Sequence, residues 1–500
     1  MTSKYDTYTS PLAERNASPE MLRLWSPRHK FNTWRRIWLA VAEAQHELGL
    51  PVTKEQVEEL RAVVNRVNPD GSVGITDAEL HAAEKYERDL RHDVMAHVHA
   101  LGDSCPKAKG IIHLGMTSQD VVCNADMLVL HEAARLIADK IKRAVITIAD
   151  EAARFVAVPT LAFTHYQPAQ PATVGRRFIS WAHDLAMCSS RIGMSGATVQ
   201  MRGLRGATGT QASFLALTNG NGDLVDRLEH EFLLSLRAAG YLKISNQTYP
   251  RVVDTFILAD LASTASVLHK IATDIRLLCN RKEIDEPFES KQIGSSAMPY
   301  KRNPMRCERI CGLTRFVMNL VGNAYDTAAT QWLERTLDDS SNRRLSLPEA
   351  FLALDGALDL MHNVASGLIV HEAMVRKNLM AELPFMATEN IMMECVKLGG
   401  DRQHFHELIR VHAQAAGLRV KSEGLDNDLL DRLKADKNFW STARGGPLSA
   451  ELNWDDLLDP MKYVGRSVEQ TERFIKEVVE PLREQYGDAI AKLGTSGPRV

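Results

Sequence analysis

The run LHEAARLIADKIKRAVITI, residues 130–148, decides the fold. Its apolar residues Leu130, Ala134, Ile137, Ile141, Ala144 and Ile148 recur at alternating intervals of four and three, the spacing of one stripe on an α-helix. Ile310, Leu313, Val317, Leu320 and Ala324 repeat the pattern, and so do Phe351, Leu354, Leu358, Met361 and Leu368. Patterned stretches from Phe178 to Ile192 and from Ile257 to Leu278 bring the expectation to about five long helices, joined by Gly/Ser/Thr-rich connections. Apolar stripes of this length, with alanines on adjacent faces, predict burial on several sides and association with other subunits. A monomeric long bundle is the alternative that periodicity leaves open.

Outward from the bundle the pattern changes. On the N-terminal side, Pro69-Asp70-Gly71 makes a turn, and Thr76 with Glu79 has the capping-box spacing of a helix that runs into Arg91-His92-Asp93. Past residue 370 the stripes shorten and charge density rises, which predicts a separate helical unit. The expectation is an all-α fold in three domains, 1–115, 116–370 and 371–500. No internal repeat, low-complexity tract or strong strand alternation stands out.

With 45% hydrophobic and 25% charged residues in 500, the chain reads as a soluble globular protein with ample core, neither disordered nor membrane-embedded. A formal net charge of -3 argues against nucleic acid as the main partner, so any anion site must be local. Seven cysteines without paired metal spacing point to reduced thiols in the cytoplasm. Cys307 and Cys311 are close in a helical segment, and small apolar packing suits them better than metal binding. The segment Met1 to Asp6 lacks the apolar core of a signal peptide, and no uncharged apolar run looks long enough to span a bilayer.

Chemistry concentrates in Gly294-Ser295-Ser296-Ala297-Met298-Pro299-Tyr300-Lys301-Arg302-Asn303-Pro304. A glycine and two serines let the backbone open and close, while the prolines set its direction on either side. A serine takes a proton from carbon only in a cationic, desolvated setting. Lys301 and Asn303 can supply that setting and hold a carboxylate; a plain polar loop ahead of a helix is the alternative. His165, in a Pro-punctuated turn ahead of a helix, suits a general acid or a hydrogen-bonded structural residue.

Arg91, His92 and Asp93 set a cation, an imidazole and a carboxylate side by side. His92 and His99 lie two helical turns apart with His97 off their face, which counts against a metal site. Thr117 and Ser118 precede the first bundle helix and can bind an anion or simply cap it. Arg335, Ser340 and Arg344, with Arg15, suit phosphate because guanidinium forks match its geometry; a surface ion-pair network with Asp338 and Asp339 is the other reading. Gly203, Gly206 and Gly209 lack the Lys-Ser/Thr ending of a phosphate loop and read as a flexible connection.

The Gly294 to Pro304 string resembles the signature loop of the fumarase/aspartase superfamily, whose members break a C–N or C–O bond and release fumarate. Tyr300 to Arg306 and Trp332 to Ser340 look like its purine-synthesis branch rather than the argininosuccinate lyase, fumarase or aspartase branches. The resemblance runs from Ser10-Pro11-Leu12-Ala13 through Pro384 to Asn390 and thins in the last hundred residues.

It implies a homotetramer whose central domains build one shared helical core, each active site assembled from three subunits, and no cofactor or metal. The implied reaction is elimination of fumarate from adenylosuccinate, giving AMP, and from the analogous succinylated imidazole carboxamide nucleotide. By the same resemblance Ser295 is the base and His165 the acid, while Lys301 and Asn303 stabilise the carbanion's carboxylate. Arg91, His92 and Asp93 line the pocket, with His92 positioning the acid or a carboxylate. Thr117 and Ser118 hold a succinyl carboxylate, Arg15, Arg335, Ser340 and Arg344 hold the phosphate, and Thr164, Gln247 and Arg309 are further binding positions. The branch usually has tyrosine after the arginine matching Arg15; here Asn16 keeps a polar handle and loses the ring. A sister fumarate-releasing lyase without the phosphate set, or an inactive helical scaffold, are the competing readings.

Overall fold

The computed structural model describes residues 5–197, 199–238, 240–289, 291–294, 296–439 and 452–494. The N-terminal helices α1 (Pro27–Glu47), α2 (Lys54–Val64), α3 (Asp77–Leu90) and α4 (Asp93–Ser104) lead into long helices of 24 to 37 residues. These are α5 (Ser118–Arg154), α6 (Val174–Ala197), α7 (Val252–Asn280), α8 (Met305–Ala329) and α9 (Asp339–Ser366). They form one bundle: α5 lies along α6 and α9, while α7 packs against α6, α8 and α9. Beyond it come α10 (Glu372–Met386), α11 (Arg402–Leu418) and α12 (Glu480–Ala491).

The apolar stripe from Leu130 to Ile148 is the seam of this bundle. Leu130, Ala134, Ile137, Ile141, Ala144 and Ile148 are all buried, as are Phe351, Leu354, Leu358 and Met361 on α9. The Thr76/Glu79 capping box is present at the start of α3. Helix α9 stops at Ser366, so Leu368 packs from the connection that follows.

The buried apolar residues form two clusters. One runs from Met21 to Val375 and takes in Val479; the other joins residues between Ala387 and Leu457. The N-terminal helices therefore share the bundle's core. The chain also returns to the bundle after the second cluster, where α12 lies along α5.

Two features depart from the sequence reading. Strands β1 (Pro159–Thr164) and β2 (Gln167–Thr173) form an antiparallel hairpin, pairing Thr164 with Gln167 across a two-residue turn. Pro159, Pro168 and Pro171 mask the alternation that would announce it. A second, two-residue ribbon pairs β3 (Ile284–Asp285) with β4 (Ile369–Val370). An 18-residue window of helix α7 is apolar enough to cross a membrane by composition, with a mean hydropathy of 1.3, although Asp254, Asp260, Lys270, Asp274 and Arg276 leave the helix without a long uncharged run, as expected. Half of that window is buried in the bundle, where apolar composition serves the core.

Candidate active site

At one end of the bundle, α5 and α9 begin side by side and α4 is capped beside them. His92 is the N-cap of α4, its Nδ1 accepting the Met95 N–H at 3.3 Å. A neutral ring that accepts at Nδ1 carries its proton on Nε2, which lies 3.4 Å from Ser118 Oγ. Arg91 supports that cap from the left-handed region, with φ 53°. Asp93 accepts from Arg344 Nη2 at 3.0 Å and so ties α4 to the first turns of α9.

Four residues before Arg344 the same end gathers its other groups. Arg335 donates to Gln247 Oε1 and to Ser340 Oγ, both at 3.2 Å. Beneath them, Arg343 pairs with Asp254 and Asp126, while Tyr249 donates to Asp254 at 2.6 Å. Arg251 pairs with buried Asp339. Burial and Asp254 raise the Tyr249 phenol well above its ordinary range despite the opposing pull of Arg343. This network is rigid support for Gln247, Ser340 and Arg344.

Sequence reasoning missed two supports here. Asp120 is fully buried and accepts from the Thr117 N–H at 2.7 Å, the Arg205 N–H at 2.8 Å, the Gly206 N–H at 3.1 Å and the Arg202 guanidinium. Arg202 also donates to the Gly206 and Asn246 carbonyls. The Gly203 to Gly209 stretch is thus pinned between Thr117 and Gln247, a correction to its reading as a flexible connection. Its glycines permit close approach: a Cβ on Gly209 (φ +88°) would lie 2.0 Å from the Ser245 carbonyl oxygen. The available signal was Asp120 three residues past Thr117, at capping-box spacing. The second missed residue is Lys30 on α1, whose pKa is lowered by burial and by the adjacent Arg344 charge.

The remaining predicted residues lie elsewhere in the chain. His165 and Tyr166 form the tip of the β1–β2 hairpin, with φ of 53° and 56°; both are exposed, as is Thr164. The histidine thus sits on a hairpin turn, with β2 intervening before α6. Phe163 stacks under the Arg281 guanidinium, 4.6 Å from ring centre, and Arg281 closes the end of α7 opposite Arg251. The 29 residues of α7 span about 44 Å, so the hairpin lies far from His92 in the same chain. A cavity of about 620 Å³ beside the hairpin is lined by Tyr166, Arg176, Arg177 and Trp181, and none of the predicted residues lines it.

The signature loop also follows the far end of α7. Asn303 Nδ2 donates to the Gly294 carbonyl at 2.8 Å, and a Cβ on Gly294 would lie 2.2 Å from the Lys301 carbonyl oxygen, so the loop closes on itself there. Lys301 is exposed, and Ser295 lies outside the described residues. Glu286 receives the Arg306 and Cys307 N–H groups at the start of α8, which fixes the loop's exit. Cys307 and Cys311 are buried, and burial pushes the Cys307 thiol up. Arg309, one turn further, has its pKa lowered by burial and then by the neighbouring charge of Arg15. Arg15 and Asn16 belong to a π-helical turn, Leu12–Asn16, that packs on α9, and the Asn16 amide donates to the Pro11 carbonyl at 2.9 Å. No group of three or more His, Cys, Asp or Glu among the described residues could hold a metal ion.

One chain therefore brings together Arg91, His92, Asp93, Thr117, Ser118, Gln247, Arg335, Ser340 and Arg344. It leaves Thr164 and His165, and Arg15, Asn16, Lys301, Asn303 and Arg309, on separate segments.

Comparison with known proteins identifies the family. A lyase family model matches residues 14–319, and a model described as the adenylosuccinate lyase C-terminus matches residues 384–474. The chain is 45% identical to adenylosuccinate lyase of Saccharomyces cerevisiae, over 98% of this chain and 99% of that one. It is 47% identical to the Schizosaccharomyces pombe adenylosuccinate lyase, over 96% of each. Among solved structures, a 3-carboxy-cis,cis-muconate lactonizing enzyme from Pseudomonas putida superposes with TM-score 0.76 at 23% identity, covering 94% of this chain and 99% of that one. A fumarate lyase from Mesorhizobium does so with TM-score 0.75 at 21% identity, covering 94% and 100%. With identity this high over nearly its whole length, the chain belongs to the adenylosuccinate lyase family of the fumarase/aspartase superfamily.

Proposed function

We propose that the chain eliminates fumarate from adenylosuccinate to give AMP, and from the succinylated aminoimidazole carboxamide ribotide in the same way, in purine nucleotide biosynthesis. The observation that carries the reaction is 45% identity to a named adenylosuccinate lyase over 98% of the chain. Ser295 takes the proton from the succinyl carbon beside the carboxylate. Lys301 and Asn303 stabilise the dianion that forms, and His165 protonates the departing nitrogen. Thr117 and Ser118 hold a succinyl carboxylate at the start of α5, with His92 oriented toward them. Arg335, Ser340 and Arg344, with Arg15, receive the phosphate, and Arg309 and Gln247 are further binding positions.

The acid and the loop are far from the His92 group in one chain, and this favours a homotetramer whose sites draw on several subunits. Apolar side chains left exposed on the bundle point the same way: Phe256 on α7 is 59% exposed and Tyr325 on α8 is 56% exposed.

The direct test supplies adenylosuccinate and quantifies AMP and fumarate, with equimolar release expected. Ser295→Ala and His165→Ala should each lower kcat by roughly a thousandfold in folded oligomer. Mixing the two inactive variants under verified subunit exchange should restore part of the activity. Absence of turnover by folded protein refutes the reaction, and absence of recovery refutes sharing.

A further inference from the structure

The segment that carries Arg15 is held on α9 by a buried device that the reaction itself does not use. Ser18 donates its backbone N–H to Asp355 Oδ2 at 2.6 Å, across 337 residues of chain. Asp355 is fully buried, and its other oxygen lies 2.5 Å from Lys140 Nζ on α5. Lys140 also meets Asp359 at 2.8 Å, and Arg143 pairs with Asp359 at 2.6 Å. Two acids and two bases make the group neutral, which is what allows it to be buried.

A second contact sits beside the first. Gly356 lies under the chain at Asn16, where an added Cβ would stand 2.6 Å from the Asn16 carbonyl oxygen. Residues 16 to 18 are therefore pinned at two neighbouring points of α9. Arg15, the next residue outward, is exposed and close enough to Arg309 for its charge to depress that guanidinium's pKa. Like charges brought together repel, and the contacts at Asp355 and Gly356 help to hold the backbone against that repulsion.

We propose that Asp355, braced by Lys140 and seated beside Gly356, is a positioning residue that fixes the backbone carrying Arg15 and so determines affinity for the anionic end of the substrate. This rests on the reading of Arg15 as a phosphate ligand given above.

Gly356→Ala is the informative variant, because it leaves all four charges in place and replaces a helical glycine with a better helix former. It should raise KM for adenylosuccinate by roughly tenfold, kcat staying within about twofold and helix content by circular dichroism being retained. Asp355→Asn should raise KM in the same direction. Arg15→Met should also raise KM, and adding Gly356→Ala to it should cause no further rise, since the two act through one contact. A wild-type KM in Gly356→Ala, or an equal rise on the Arg15→Met background, overturns the positioning role and leaves the phosphate reading intact. A wild-type KM in Arg15→Met overturns both.

Discussion

Asp120 is the residue on which the near end of the site depends. Three donors from the distant Arg202 to Gly206 segment and the local Thr117 N–H converge on one buried carboxylate, and Arg202 opposite it is fully buried as well. Removing one partner of such a pair leaves a charge in low dielectric with nothing to balance it, a loss of about 3–5 kcal/mol. Asp120→Ala is expected to lose that much in urea unfolding, and also to release the glycine stretch that backs Gln247. A change below about 1 kcal/mol would show that the pair is dispensable. The sequence offered a cap at Thr117, but it held no sign that Arg202, 82 residues beyond Asp120, would be the partner of that carboxylate.

At the scale of elements, the bundle helices were legible because their stripes bury one face, and the hairpin was not. Its turn residues His165 and Tyr166 adopt positive φ, a conformation usually announced by Gly or Asn. The turn is therefore specified by the strands it joins. Helix α7 poses the opposite problem, since its apolar residues exceed what one bundle seam can bury. Phe256 and Val252 remain on the surface of the chain, as does Leu277. Phe256→Glu places a charge on that face and is expected to shift the proposed tetramer toward smaller species by sedimentation velocity at micromolar protein, with helix content retained. An unchanged sedimentation coefficient would remove α7 from the proposed subunit contact.

At the scale of the molecule, three histidines are held neutral by the fold. His97 is lowered to about 4 by burial and the charges of Arg35 and Lys30, and it stacks on Phe31 with ring centres 3.6 Å apart. His113 is lowered to about 4 by burial and accepts from the Trp38 indole at 3.1 Å. His362 is lowered to about 4 by burial and by Arg143. All three lie below the ordinary value of 6.5, so the unfolded chain binds protons first as pH falls. Their contribution is complete above about pH 6.5 and is lost as the pH drops through 4. The unfolding free energy from urea titration, and with it the midpoint, should therefore fall between pH 7.5 and pH 5, the free energy by up to roughly 2 kcal/mol for each histidine. A midpoint flat over that range would mean that these rings protonate without penalty.

The amino-acid order by itself determined the helical class and the capping box at Thr76, because those follow from spacing along one chain. It also marked the candidate residues, since hydroxyl, imidazole and guanidinium groups in a recognisable string declare their chemistry without coordinates. Only the tertiary structure decided which of them meet. His92, Ser118, Arg335 and Arg344 converge where α4, α5 and α9 begin, whereas His165 and Lys301 stand beyond the other end of α7. The glycine stretch changed from a flexible connection to a pinned one for the same reason. Such outcomes depend on long-range contacts such as Asp120 with Arg202 and Ser18 with Asp355, and local pattern cannot encode partners that lie 82 and 337 residues away.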